Sequence, residues 1–164
     1  MSHRRTNGDC SLGVVDLYGP IFAEGTFKVC RRATYQDGRR RGETGIAKQF
    51  KEGSPFEARY FQEELNIVRD AERIVAAFNK TGVLGTKRVR VNIPTIATLC
   101  ASGAHYLVEP FIQNFQKFNS NSGWADTSTG AGQAMQALSH FSYHCTKREL
   151  LLCDVQGGIY PEEM

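Results

Sequence analysis

The stretch ETGIAKQFKEGSPFEARYFQEELNIVRDAERIVAAFN, residues 43–79, holds two periodicities in succession. Glu43 to Phe50 reads as a short strand, whereas between Pro55 and Asn79 the apolar residues Phe61, Leu65, Val68, Ala71, Val75 and Phe78 recur at helical spacing. Ser54 supplies a cap and Pro55 a first-turn residue whose missing N–H has no intrahelical partner to lose. Upstream, Phe27 to Tyr35 reads as a second strand. Asp37-Gly38 and the arginines 39–41 separate the two, which predicts a β-hairpin with a basic tip.

Downstream, Val89, Val91 and Ile93 alternate with Arg88, Arg90 and Asn92, predicting a half-buried strand stopped at Pro94. His105 to Val108 predicts another that ends at Glu109-Pro110, with Tyr106 to Val108 as a linker strand. Beyond a polar segment from Asn114 to Gly132, residues Gln133 to Tyr143 predict a helix with Ala134, Leu138 and Phe141 on one face. Glu149 to Val155 then reads as an apolar strand running into Asp154-Val155-Gln156-Gly157-Gly158. Strands and helices mix without a regular βαβ alternation, so the fold class is α+β: an antiparallel twisted sheet with the long helix packed on it.

The chain has 164 residues, 41% hydrophobic and 23% charged, which suits one domain with a packed core. Residues 1–11 read as a disordered tail and 12–164 as the domain. No apolar run approaches a membrane span, and MSHRRTNGDC has no apolar stretch behind its arginines, so a cytoplasmic protein with no membrane partner is expected. A net charge of +3 is too mild to call for a specific nucleic-acid partner. The five cysteines are scattered without C-x-x-C spacing, and His140 and His144 lack the intervening glutamate of a zincin.

Lys48 follows Gly45-Ile46-Ala47 in a predicted strand; by burial statistics alone such a lysine is solvated. The helix changes that reading. At 100° per residue its apolar stripe is centred near Glu64, Glu72 lies closer to the edge, and Glu63 and Asp70 point away. A carboxylate in an apolar stripe calls for a cation, so Lys48 is expected to meet Glu64, with Glu72 as the second choice. The other reading of Glu64 is an edge carboxylate reaching water. Asp154 and Gln156 are oxygen-bearing side chains of the kind that ligate Mg²⁺ and phosphate, or else parts of a strand-terminating turn. Residues 119–123, Asn-Ser-Asn-Ser-Gly, read by themselves as a polar loop, and the arginines at 39–41 as a solvated tip or a phosphate contact.

Several segments, in order, resemble the alpha-kinases, atypical protein kinases that include the myosin heavy chain kinases and the elongation factor kinase. They are Gly19 to Lys28, Ile46-Ala47-Lys48, Phe78-Asn79, Tyr106 to Ile112, Lys117 to Trp124, Gln136 to Tyr143 and Leu152 to Gly157. The most specific are Asn-x-Asn-x-Gly-Trp, Ser-His-Phe and Asp-x-Gln-Gly. His-Arg-Asp and Asp-Phe-Gly, signatures of the typical kinases, are missing, as this divergent family implies.

The resemblance implies a two-lobed, ATP-binding serine/threonine kinase fold using Mg²⁺. Lys48 would contact the phosphates and Glu109 to Ile112 would form the hinge that receives adenine, with Glu109 and Ile112 as its ends. Asp154 and Gln156 would be the catalytic and metal residues. Lys28 stands where the family commonly has an arginine, which keeps the charge without the bidentate fork. The family's second aspartate, in an Asp-Pro segment about a dozen residues after Asp-x-Gln-Gly, and its later His/Cys zinc module are not within these residues. The C-terminal lobe is therefore expected to be incomplete and the chain inactive as it stands, with Leu150 to Cys153 as an exposed edge. The alternative function is a non-catalytic remnant that binds nucleotide or a protein.

Overall fold

Five strands pair antiparallel into one sheet: β1 (Val15–Glu24), β2 (Lys28–Tyr35), β3 (Thr44–Phe50), β4 (Thr95–Thr98) and β5 (His105–Pro110), in the order β1-β2-β3-β5-β4. The helix α1 (Ala58–Lys80) lies between β3 and β4 in the chain. The short strands β6 (Gln116–Lys117) and β7 (Gln156–Gly157) pair with each other on either side of α2 (Gly130–Cys145) in the sequence. This computed structural model describes residues 15–36, 38–51, 58–98 and 104–160. The expected tail, Asp37 of the hairpin turn and the Ser54-Pro55 helix start lie outside those residues. Two compact units divide the chain: one combines residues up to Asn66 with Asn92–Phe111, the other Ile67–Val91 with residues from Ile112 onward.

In the first unit the expected hairpin forms, with Cys30 opposite Lys48 and Ala33 opposite Gly45. Successive side chains of a strand point to opposite faces, so the ladder sorts the unit into two surfaces. One carries Ala33, Ala47, Ala97, Tyr106 and Val108, which form a buried cluster with Tyr35 and Ala104. The other carries Lys28, Cys30 and Arg32 of β2, Ile46, Lys48 and Phe50 of β3, and Leu107 and Glu109 of β5. The first turns of α1 cover part of that second face. Phe61, 1% exposed, sets its ring edge-on to Phe50 at 5.4 Å and to His105 at 5.8 Å.

The strand expected at His105 to Val108 forms as β5, but it runs in the sheet between β3 and β4 and is no linker, which corrects the reading of Tyr106 to Val108. β1 went unrecognised because its alternation is interrupted: Tyr18 faces Arg32 and Ala23 faces Cys30, so residues 19–22 stand opposite Arg31 alone.

The second unit is built on apolar packing between helices. Ile74, Val75 and Phe78 of α1 bury against Leu138 of α2, with Leu84, Val89, Val91, Met135, Phe141 and Leu152 packed around them. α2 begins at Gly130, earlier than the periodicity predicts, because Thr129 caps it: the Thr129 hydroxyl oxygen accepts the Gly132 N–H at 2.9 Å.

Residues 88–93, expected as a strand, have no ladder partner. Val89 and Val91 pack on the core while Ile93, the third residue of the expected pattern, is 49% exposed, and the Val89 backbone is met by a side chain: Asn79 donates to its carbonyl at 2.8 Å and accepts its N–H at 3.0 Å. The sheet instead gains β4 just after Pro94. Residues 149–155 are likewise not a strand. The Leu152 N–H goes to the Ser142 hydroxyl at 2.8 Å and the Val155 N–H to the Asn119 side chain at 2.8 Å. Leu150 and Leu151 are exposed, but in an irregular segment rather than along a strand edge.

Candidate functional site

Lys48 is ion-paired with Glu109. The register explains the choice. Lys48 stands opposite Leu107 and Ile46 opposite Glu109, so Lys48 and Glu109 share a face as diagonal neighbours, a separation that a lysine side chain spans. The expectation that Lys48 meets Glu64 is corrected. Glu64 does face the sheet from α1, as its position on the apolar stripe requires, yet it binds Lys28 at 2.7 Å. Lys28 lies opposite Phe50 at the end of the β2–β3 ladder that α1 covers, and its ammonium sits 4.9 Å from the Phe50 ring centre. Lysine at this position therefore has a carboxylate on one side and an aromatic face on another.

Cys30 lies between the two lysines on β2. Burial pushes its thiol pKa up, while the Lys48 and Lys28 charges pull it down and Glu109 raises it. Arg32, next on that face, rests against two rings, Phe22 at 5.4 Å and Phe111 at 5.5 Å. The Phe111 N–H donates to the Thr44 carbonyl at 3.1 Å, which extends the β3–β5 ladder one residue beyond Pro110. Ile112 belongs to the second unit, where its side chain lies so near Gly158 that a Cβ there would come within 3.0 Å of it.

In the second unit Asp154 and Gln156 share a neighbour, Lys117, to which the sequence reading gave no role of its own. Lys117 reaches the Asp154 carboxylate at 2.9 Å and pairs with Gln156 across the β6–β7 ladder. Asp154 has φ 57°, the left-handed region that is uncommon outside glycine and asparagine.

Behind this group sits Asn119, 5% exposed. Its side chain donates to the Gln136 carbonyl oxygen at 3.1 Å and to the Ser139 hydroxyl at 2.9 Å. Gln136 in turn donates to the Phe118 carbonyl at 2.9 Å. The sequence did hold a signal for this network. Gly132, Gln136 and Ser139 occupy one face of α2 at helical spacing, a polar and small seam roughly opposite the apolar face of Ala134, Leu138 and Phe141. Gly132 is required there, since a Cβ would meet the Asp126 carbonyl at 2.4 Å. Among the described residues no three His, Cys, Asp or Glu side chains converge as a metal nest, and no helix is long and apolar enough to cross a membrane.

Residues 23–162 match the alpha-kinase family, and the chain belongs to it. Over 50 residues it is 46% identical to myosin heavy chain kinase C of Dictyostelium discoideum, a match that takes in 30% of this chain and 6% of that protein. Its backbone superposes on the alpha-kinase domain of myosin heavy chain kinase A solved with ATP, with a TM-score of 0.75 and 16% identity over 88% of this chain and 71% of that one. An alpha kinase from Entamoeba histolytica gives a TM-score of 0.72 at 20% identity, over 90% of this chain and 60% of that one. At these identities the structural likeness is one of fold, and it is the fold that the sequence resembles.

Proposed function

We propose that this chain binds ATP through the sheet face that carries Lys28 and Lys48, and that the reaction it serves moves the γ-phosphoryl group to a serine or threonine hydroxyl of a protein. The observation that carries this reading is that both ammonium groups stand on one face, each oriented by its own carboxylate. Phosphoryl transfer depends on positioning and charge stabilisation, and a cation already held in place loses little freedom when a phosphate oxygen takes over from the carboxylate. Glu109 thereby takes the part that a helix glutamate has in typical kinases. By resemblance, the Glu109 to Ile112 stretch receives the adenine. A solved alpha-kinase domain of the same fold, that of myosin heavy chain kinase A, holds ATP, which supports nucleotide binding.

Asp154 and Gln156 are a donor set of one carboxylate and one amide, too small for a free Mg²⁺ but suited to Mg²⁺ that arrives on phosphates and takes one or two protein oxygens. That ion would neutralise charge on the transferring group. After Gln156 the further acids in these residues are Glu162 and Glu163, and the weak-transfer expectation is the one that the resemblance implies for these 164 residues by themselves. A cytoplasmic setting accompanies this reading.

Calorimetric titration of Mg-ATP into the wild type and Lys48→Met tests it. The variant keeps its fold and binds about tenfold more weakly or worse, the scale of one lost charge-assisted hydrogen bond. Equal affinities would refute the role of Lys48. Robust transfer of radiolabelled phosphate to a protein substrate would refute the weak-transfer expectation while leaving the binding site intact.

A further inference from the structure

We infer that Asn119 is a positioning residue for Asp154, acting through the backbone of Val155; this rests on the proposed metal role of Asp154. The orientation of the network follows from one donor. The Val155 N–H can only donate, so the Asn119 atom it meets at 2.8 Å is the carbonyl oxygen. The Asn119 amide nitrogen must then face Gln136 and Ser139, each of which offers it an oxygen, and the Gln136 nitrogen faces the Phe118 carbonyl at 2.9 Å and the Gly132 carbonyl at 3.1 Å. No other assignment satisfies every group.

Both polar groups of the Val155 backbone are held from this one place. Its carbonyl accepts the Phe118 N–H at 2.9 Å and the Asn119 N–H at 3.3 Å. Asp154, immediately before it, has a backbone conformation that a non-glycine residue leaves readily unless its neighbours hold it. α2 therefore grips Asn119, Asn119 grips Val155, and Val155 fixes the direction from which the Asp154 carboxylate projects beside Lys117. This is the outer-shell arrangement that keeps a metal-binding carboxylate aimed, built here from a buried amide rather than from a direct hydrogen bond to the carboxylate.

The test compares affinities for ATP in Mg²⁺ with affinities for ATP in EDTA, for wild type, Asp154→Asn, Asn119→Ala, Ser139→Ala and Ser142→Ala. Ser142 is the control: it is 0% exposed, and its hydroxyl binds the Leu152 N–H, so its loss destabilises the same segment without touching Val155. Asn119→Ala and Ser139→Ala should each lower the Mg²⁺-dependent gain in affinity, Asn119→Ala by about tenfold as expected for outer-shell partners, while metal-free affinity stays within about twofold. Ser142→Ala should keep the full gain. In the nucleotide-free protein, amide exchange at Val155 should accelerate in Ser139→Ala and not in Ser142→Ala. If Asn119→Ala fails to fold, Ser139→Ala carries the comparison. An unchanged gain in Ser139→Ala, or equal losses in Ser139→Ala and Ser142→Ala, overturns the inference. An unchanged gain in Asp154→Asn overturns the metal reading of Asp154 and the inference with it.

Discussion

In the unit built on the sheet, backbone N–H and C=O groups find one another across four antiparallel ladders. In the unit built on α2, three backbone N–H groups of the irregular segments are met by side chains instead: Val89 by Asn79, Leu152 by Ser142 and Val155 by Asn119. The two solutions differ in how errors spread. A ladder shares its bonds among many residues, whereas a side-chain clamp concentrates several in one amide or hydroxyl. A single polar substitution should therefore hurt the second unit far more than the first.

The largest effect breaks the comparison on purpose, because cores obey the same rule in both units. Phe61→Ala and Leu138→Ala, each emptying a site at most 2% exposed, should lower stability by about 3–5 and 2–5 kcal/mol respectively in denaturant titrations. Next comes the clamp itself. Asn79→Leu leaves both Val89 backbone groups unmatched and should cost about 1–3 kcal/mol, whereas Arg40→Ala, which removes an exposed ion pair at the hairpin, should cost less than about 1 kcal/mol. Comparable losses would erase the distinction between the units.

A gain is expected at the end of α2, where Lys147 and Arg148 have φ of 55° and 73°. Glycine adopts that conformation without steric cost, so Arg148→Gly should raise stability by up to about 1 kcal/mol, read as an upward shift in thermal midpoint. The smallest effect is one of pH. Hydrogen bonds from the Thr129 and Ser128 hydroxyls and the Ser128 N–H lower the Asp126 pKa from 3.8 to about 2. A carboxyl whose pKa is depressed by folding stabilises the fold above its unfolded value, and that contribution is lost as pH falls from 3.8 toward 2. The stability difference between wild type and Asp126→Asn should shrink over that interval and be flat above it.

The same contrast explains what the sequence made legible. Periodicity found β2, β3, α1 and α2, because their partners are other regular elements or a core. It failed at residues 88–93 and 149–155, where Val89, Val91 and Leu152 do pack inward but Ile93, Leu150 and Leu151 are exposed, and where a pattern of apolar residues cannot tell a neighbouring strand from an asparagine or serine. In the candidate site, the helical geometry identified Glu64 as facing the sheet. It carried no information on which strand residue stood opposite, which is a matter of register: Lys28 lies over Phe50, and Lys48 is left to Glu109. Lys117 was visible only as part of a family-like segment, and Asn119 as part of a polar loop and of the family-like Asn-x-Asn-x-Gly-Trp piece. Their roles depend on a contact 36 residues away in the chain, for Asn119 with Val155.

The alternation along β3 has a consequence for the way the chain reaches its fold. Lys48 and Ala47 are adjacent yet belong to opposite surfaces, and Ala47 is 1% exposed among Ala33, Tyr106 and Val108. Pairing β3 one residue out of step would thrust the ammonium into that small-residue interior and strand Glu109 without its cation. A lone charge in such a place is heavily penalised, so the slipped hairpin is rejected by Lys48 itself. Proofreading of strand pairing thus falls to the side chain that is ion-paired with Glu109.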